Sequence, residues 1–231
     1  MTKLLASVRS VEEALTALEG GADIIDLKEP SQGALGRLPD AVIRAVLASV
    51  AGRRPVSATI GDLHLIPAEV VASVREMAAT GADIVKFGIF PGEAAATIKA
   101  LAAPCRDGIR LVAVFFGDQS PDLGLIPLCA ASGFLGVMLD TADKKAGPLT
   151  RHQPEAALAR FVAAGTDAGL LTGLAGSLTE GDIESLLPLR PDYLGFRSAL
   201  TTGARDAPLD PAALARISLK IRLPVIDNPP A

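Results

Sequence analysis

The chain has 231 residues, 49% apolar and only 3% aromatic with no tryptophan, which supplies a large aliphatic core but no base-stacking platforms for single-stranded nucleic acid. A net charge of −4 lacks the basic footprint of a nucleic-acid binder. No apolar run approaches the roughly 18 residues of a membrane-spanning helix, and the start MTKLLASVRS becomes charged too early for a secretory leader, so a cytoplasmic enzyme away from membranes is expected.

Short β-branched runs alternate with Ala/Leu-rich amphipathic stretches along the whole chain, the pattern of repeated βα units. The expected strands are KLLASV from Lys3, ADIIDLKEP from Ala22, PVSATIG from Pro55 and ADIVKFGIF from Ala82. IRLVAVFFGD follows from Ile109, LGVMLDTA from Leu135, GLLTGLAGS from Gly169 and DYLGFRSAL from Asp192. Eight helices are expected between and after them. Ser10 caps one start, Pro67 opens another, and Thr179 and Asp210 precede two more. LEGGADII and AATGADIV close helices on glycine just before a strand. The pattern predicts one (β/α)8 TIM-barrel domain over 1–231, with a doubly wound open sheet as the competing architecture.

Two cysteines, Cys105 and Cys129, are too few for a disulfide framework and read as buried small hydrophobes. Two histidines, His64 and His152, cannot build a His-rich zinc site, so neither a metal nor another cofactor is expected.

In a barrel the reactive groups stand at the C-terminal ends of strands, and strand residues alternate faces. In Ile24-Ile25-Asp26-Leu27-Lys28 that parity turns Asp26 and Lys28 into the barrel mouth and Ile25 and Leu27 toward the helices. It also turns Lys86 inward, with Val85 and Phe87 outward, and ends the sixth strand on an inward Asp140, four residues before Lys144. The chain carries 7 lysines against 15 arginines, yet places lysine at the exits of strands 2 and 4 and after strand 6. Arginine keeps its proton, whereas a crowded, desolvated lysine loses it and becomes a nucleophile or base. A plain Asp26–Lys28 ion pair plugging the barrel top is the bland alternative. Asp62 and Asp118 follow glycine at strand ends, where they serve either the site or a helix cap, and His64 reads as a surface residue.

Strands 7 and 8 run into small-residue loops, Gly173-Leu174-Ala175-Gly176-Ser177 and Gly195-Phe196-Arg197-Ser198. Barrels commonly hold phosphate in these two loops, which makes Gly176, Ser177, Gly195 and Ser198, with Arg197 as a fixed cation, the expected phosphate site.

The segments ADIIDLKEPSQGALG, PVSATIGD, GADIVKFG, MLDTADKK, LAGSL and LGFRSALTTGARD resemble the (5-formylfuran-3-yl)methyl phosphate synthase family, in order over nearly the whole chain. The strand 2 exit and the DTA-Lys loop are its specific parts. The resemblance implies a carbon–oxygen lyase of methanofuran biosynthesis that condenses two glyceraldehyde 3-phosphate molecules with loss of phosphate and water. It implies Lys28 as the Schiff-base lysine, Lys86 as the proton acceptor, and supporting roles for Asp26, Asp140 and Lys144. The second lysine of the loop, Lys145, competes with Lys144 for a place in the site. The alternatives are another phosphosugar barrel (a non-covalent decarboxylase, an epimerase or an aldolase) and a non-catalytic barrel that binds a phosphorylated metabolite. Barrel exteriors often associate, so a homo-oligomer is compatible with the sequence, which names no interface.

Overall fold

The computed structural model describes residues 1–223; residues 224–231, the end of the expected domain, lie outside the described residues. Eight parallel strands close into a barrel in chain order, which excludes the open sheet. They are β1 (Lys3–Val8), β2 (Ile24–Leu27), β3 (Val56–Thr59), β4 (Ile84–Gly88), β5 (Leu111–Phe116), β6 (Gly136–Asp140), β7 (Leu171–Leu174) and β8 (Tyr193–Phe196). Closure is made by β1, which pairs with both β2 and β8.

The strand parity sorts the apolar side chains into two layers. Ile25, Leu27, Val85, Phe87 and Leu139 belong to an outer cluster with residues of the surrounding helices, among them Val46, Val70, Ile98 and Phe161. Leu5, Ile84, Val112, Val114, Phe116, Met138 and Tyr193 fill the barrel interior. Fully burying such side chains stabilises the fold by about 1.5–3 kcal/mol each. The interior also needs space. A Cβ on Gly173 would lie 2.2 Å from the Tyr193 ring, so glycine in β7 makes room for the single tyrosine.

The helices are α1 (Val11–Glu19), α2 (Asp40–Val50), α3 (Pro67–Ala78), α4 (Ala94–Ala100), α5 (Ala102–Arg106), α6 (Ile126–Ala131), α7 (Leu149–His152), α8 (Glu155–Asp167), α9 (Ile183–Leu186) and α10 (Pro211–Arg222). Their starts follow the caps read from the sequence. Ser10 Oγ accepts from the Glu13 amide, Asp210 accepts from the Ala212 amide, and Pro67 stands at the first position of α3. Gly21 and Gly81, with φ of +86° and +99°, end the turns before β2 and β4 in the left-handed region that favours glycine.

Two expected helices are broken by proline. Pro104 cannot donate to the Ala100 carbonyl and its ring crowds it, so the segment divides at Leu101 into α4 and α5. After β7 the chain makes a 3₁₀ turn over Glu180–Asp182, then α9, then a 3₁₀ turn at Leu187–Leu189 around Pro188. Thr179 still starts it, in a reciprocal capping box with Asp182. Among the described residues no helix is long and apolar enough to cross a membrane.

Candidate active site

The strand register builds the deepest polar group. Ser7, Asp26 and Ser57 stand side by side on β1, β2 and β3. Both serines donate to the Asp26 carboxylate, at 3.0 and 2.6 Å, and Lys86 Nζ reaches it at 2.7 Å. Lys86 and Asp26 are 2% and 1% exposed. Burial alone would raise the Asp26 carboxyl; the ammonium groups of Lys86 and Lys28 and the donated hydrogen bonds outweigh it and hold the group below its ordinary value. Burial likewise pushes the Lys86 amine down, aided by Lys28 and opposed by Asp26 and Asp140.

A second group lies nearer the mouth. Lys28, just past the end of β2, is 3.4 Å from Asp140 at the end of β6. The other Asp140 oxygen accepts from Lys144 Nζ and from the Thr141 amide, 2.7 Å away. Despite burial, Lys144 and Lys28 hold the Asp140 carboxyl well below the carboxylate range. Lys144 is brought down to about 8, by burial first and by Lys28 next, against the pull of Asp140. Lys144 is the loop lysine that enters the site; Lys145 is exposed. The alternative of a plain Asp26–Lys28 ion pair is not formed. The two side chains share a face, but each finds its partner across the barrel, Asp26 in Lys86 and Lys28 in Asp140.

Lys28, Asp140 and Lys144 line a cleft together with Gly176, Ser177, Gly195, Arg197 and Ser198, from the loops after β7 and β8. Glycine is required at two of these places. A Cβ on Gly176 (φ +101°) would meet the Thr141 amide at 2.9 Å, and one on Gly195 would meet Met138 and Ala175 at 3.0 Å. Lys86 and Asp26 do not line this cleft.

Arg197, expected as a fixed cation for phosphate, also lines the cleft, with its donors engaged inside the protein. Its guanidinium is buried and forms a two-pronged ion pair with Glu13 of α1, at 2.5 and 3.1 Å. The remaining donors go to the carbonyls of Ser7, Arg205 and Ala207. All five N–H groups are thereby used inside the protein, and Arg197 ties the loop after β8 to α1.

The two Gly-Asp exits also find their use. Asp62, after β3, accepts from the Ala34 and Leu35 amides of the loop after β2 at 2.8 and 2.7 Å. Asp118, after β5, accepts from the Ala142 and Asp143 amides of the loop after β6, both at 2.8 Å. Each clasps a neighbouring loop rather than its own helix, and Asp118 fixes the backbone that carries Lys144. His64 is exposed. Sequence reasoning missed Arg205, which lines the cleft, and Leu35, which is fully buried in the interior cluster. The alternation rule that found the lysines does not reach into loops.

The sequence model of 4-HFC-P synthase matches residues 4–218. The chain belongs to the 4-HFC-P synthase family. A protein of Methylorubrum extorquens that carries the name (5-formylfuran-3-yl)methyl phosphate synthase provisionally is 43% identical over 93% of this chain and 89% of its own. The (5-formylfuran-3-yl)methyl phosphate synthases of Archaeoglobus fulgidus and Methanosarcina barkeri are 35% and 34% identical, over 89% and 88% of this chain and 93% and 92% of theirs. Solved structures share the fold alone. Phosphoribosyl anthranilate isomerase of Thermus thermophilus superposes with a TM-score of 0.68 at 17% identity, over 95% of this chain and 98% of that one. The 3-hexulose-6-phosphate synthase of Salmonella typhimurium gives 0.68 at 17%, over 96% and 100%.

Proposed function

We propose that this chain is a (5-formylfuran-3-yl)methyl phosphate synthase of methanofuran biosynthesis, joining two glyceraldehyde 3-phosphate molecules with loss of one phosphate and two waters. Family membership over residues 4–218 supports the product. The observation that carries the chemistry is the cleft amine pair, Lys28 and Lys144 on one Asp140 carboxylate.

In this reading the Lys28 amine adds to the aldehyde of one triose phosphate and water departs, leaving an iminium that acidifies the neighbouring C–H. A lysine amine takes that proton. Lys144 is the amine beside Lys28 in the cleft, and Lys86 with Asp26 is a second proton-handling pair one layer deeper. The resulting enamine expels phosphate by breaking a C–O bond, the lyase step, or attacks the second aldehyde. Each acid–base step contributes roughly 10²–10⁴-fold. Asp140 keeps the two cleft amines together, and the loops after β7 and β8 receive the retained phosphate.

The test is turnover of glyceraldehyde 3-phosphate by the pure protein. Equal amounts of free phosphate and of a furan aldehyde phosphate identified by mass are expected, with both lost in Lys28→Ala. A protein inert toward this substrate, or indifferent to Lys28→Ala, contradicts the reading.

A further inference from the structure

Arg205 is a cleft cation that the fold does not use. It lies between β8 and α10, partly buried, and lines the cleft beside Lys28, Lys144, Ser177 and Ser198. Its backbone is anchored, since its carbonyl accepts from Arg197 Nε at 2.8 Å and Arg197 is locked to Glu13. Its guanidinium, however, has no hydrogen-bond or ion-pair partner among the described residues.

Two acids act on it through space, Asp140 and Asp62. Both are already engaged. Asp140 is shared by Lys28, Lys144 and the Thr141 amide, and Asp62 by the Ala34 and Leu35 amides. A partly buried guanidinium with free donors, beside carboxylates already engaged, is suited to receive an anion from solution. Its planar fork matches two phosphate oxygens at once.

We infer that Arg205 is the residue that grips the phosphate of an aldehyde substrate in this cleft, and that it sets the preference for phosphorylated over unphosphorylated aldehydes. The identity of the aldehyde rests on the proposed synthase reading; the anion site does not.

The experiment has two arms. Inorganic phosphate is titrated calorimetrically into the wild type, Arg205→Met and Arg205→Lys. Borohydride trapping at Lys28 is then run with glyceraldehyde 3-phosphate and with glyceraldehyde. Arg205→Met is expected to weaken phosphate binding, and to raise the half-saturating glyceraldehyde 3-phosphate, by roughly 10- to 100-fold. Arg205→Lys should fall between, and trapping of glyceraldehyde should not change. Unaltered phosphate binding in Arg205→Met, no phosphate binding by the wild type, or an equal loss for both aldehydes overturns the inference. Absence of any Lys28 adduct in the wild type would count against the synthase reading alone; the phosphate arm would still decide the role of Arg205.

Discussion

Lys86 and Asp26 form an ion pair of 2.7 Å inside the barrel, where Leu35 from the loop after β2 joins the buried interior cluster. Removing two charges from water is costly, and the pair persists because Ser7 and Ser57 complete the carboxylate's hydrogen bonding. Gly88, two residues beyond Lys86 on the same face, leaves the space that Leu35 and Phe90 occupy: a Cβ there would stand 3.0 Å from Leu35 Cδ1 and 2.4 Å from the Phe90 ring. Asp62 holds that loop by accepting from the Leu35 and Ala34 amides. Lys28 and Lys144 thus line the cleft, whereas Lys86 is buried away from it.

This difference in access predicts unequal reactivity. An amine-acylating reagent should label Lys28 and Lys144 of the free protein well before Lys86, as read by peptide mass. Leu35→Ala removes a buried side chain at a cost of about 2–5 kcal/mol. Each 1.4 kcal/mol taken from the closed state raises the open population about tenfold, so Lys86 labelling should accelerate by at least that factor.

Lys144, brought to about 8, predicts a pH limb. In the proposed reaction with Lys144 as the proton acceptor, the acting form is the free amine, so kcat should rise as pH climbs through about 8 and level off above it. Lys144→Arg keeps the charge beside Asp140 but cannot give up its proton. The rate–pH profile of that variant should lose this limb and lie roughly 10²-fold or more below the wild type at its plateau.

Asp118 is a positioning residue, and its removal should separate stability from rate. Asp118→Ala deletes two amide hydrogen bonds at a partly exposed site, costing about 1–3 kcal/mol in denaturant unfolding. The backbone bearing Lys144 is loosened, so kcat should fall roughly tenfold, as misplaced catalytic groups do. Imine trapping at Lys28 should persist, because Lys28 does not hang on this loop.

Arg197 and Glu13 are expected to act as a structural unit. Breaking one side leaves a buried charge, so Arg197→Met should lower unfolding free energy by about 3–5 kcal/mol. Adding Glu13→Leu should restore much of that loss, because the stranded carboxylate goes with it. A double variant no better than Arg197→Met alone would contradict the assignment.

The barrel and its lysines were legible because strand alternation is a local rule. IIDLK and IVKFG state on their face which side chains turn inward, and Ile25, Leu27, Val85 and Phe87 do pack outward. Pairing among the inward groups was not legible, since it depends on which strands face one another across the barrel. Asp26 meets Lys86 at a separation of 60 residues, and Lys28 meets Asp140 at 112. That the Arg197 donors are already engaged was not legible for the same reason: Glu13 lies 184 positions away. The clasps of Asp62 and Asp118 escaped because the site-or-cap reading looked no further than each aspartate's own strand exit, and the amides they hold lie on neighbouring loops 24 to 28 positions away.

The most direct measurement is the site of the covalent adduct. The intact protein is incubated with glyceraldehyde 3-phosphate and borohydride, and the modified peptide is sequenced by mass spectrometry. A triose-derived adduct on Lys28, with phosphate released in the unreduced control, is the predicted result. An adduct confined to Lys144 or Lys86, or turnover at full rate with no adduct at all, would contradict imine catalysis at Lys28.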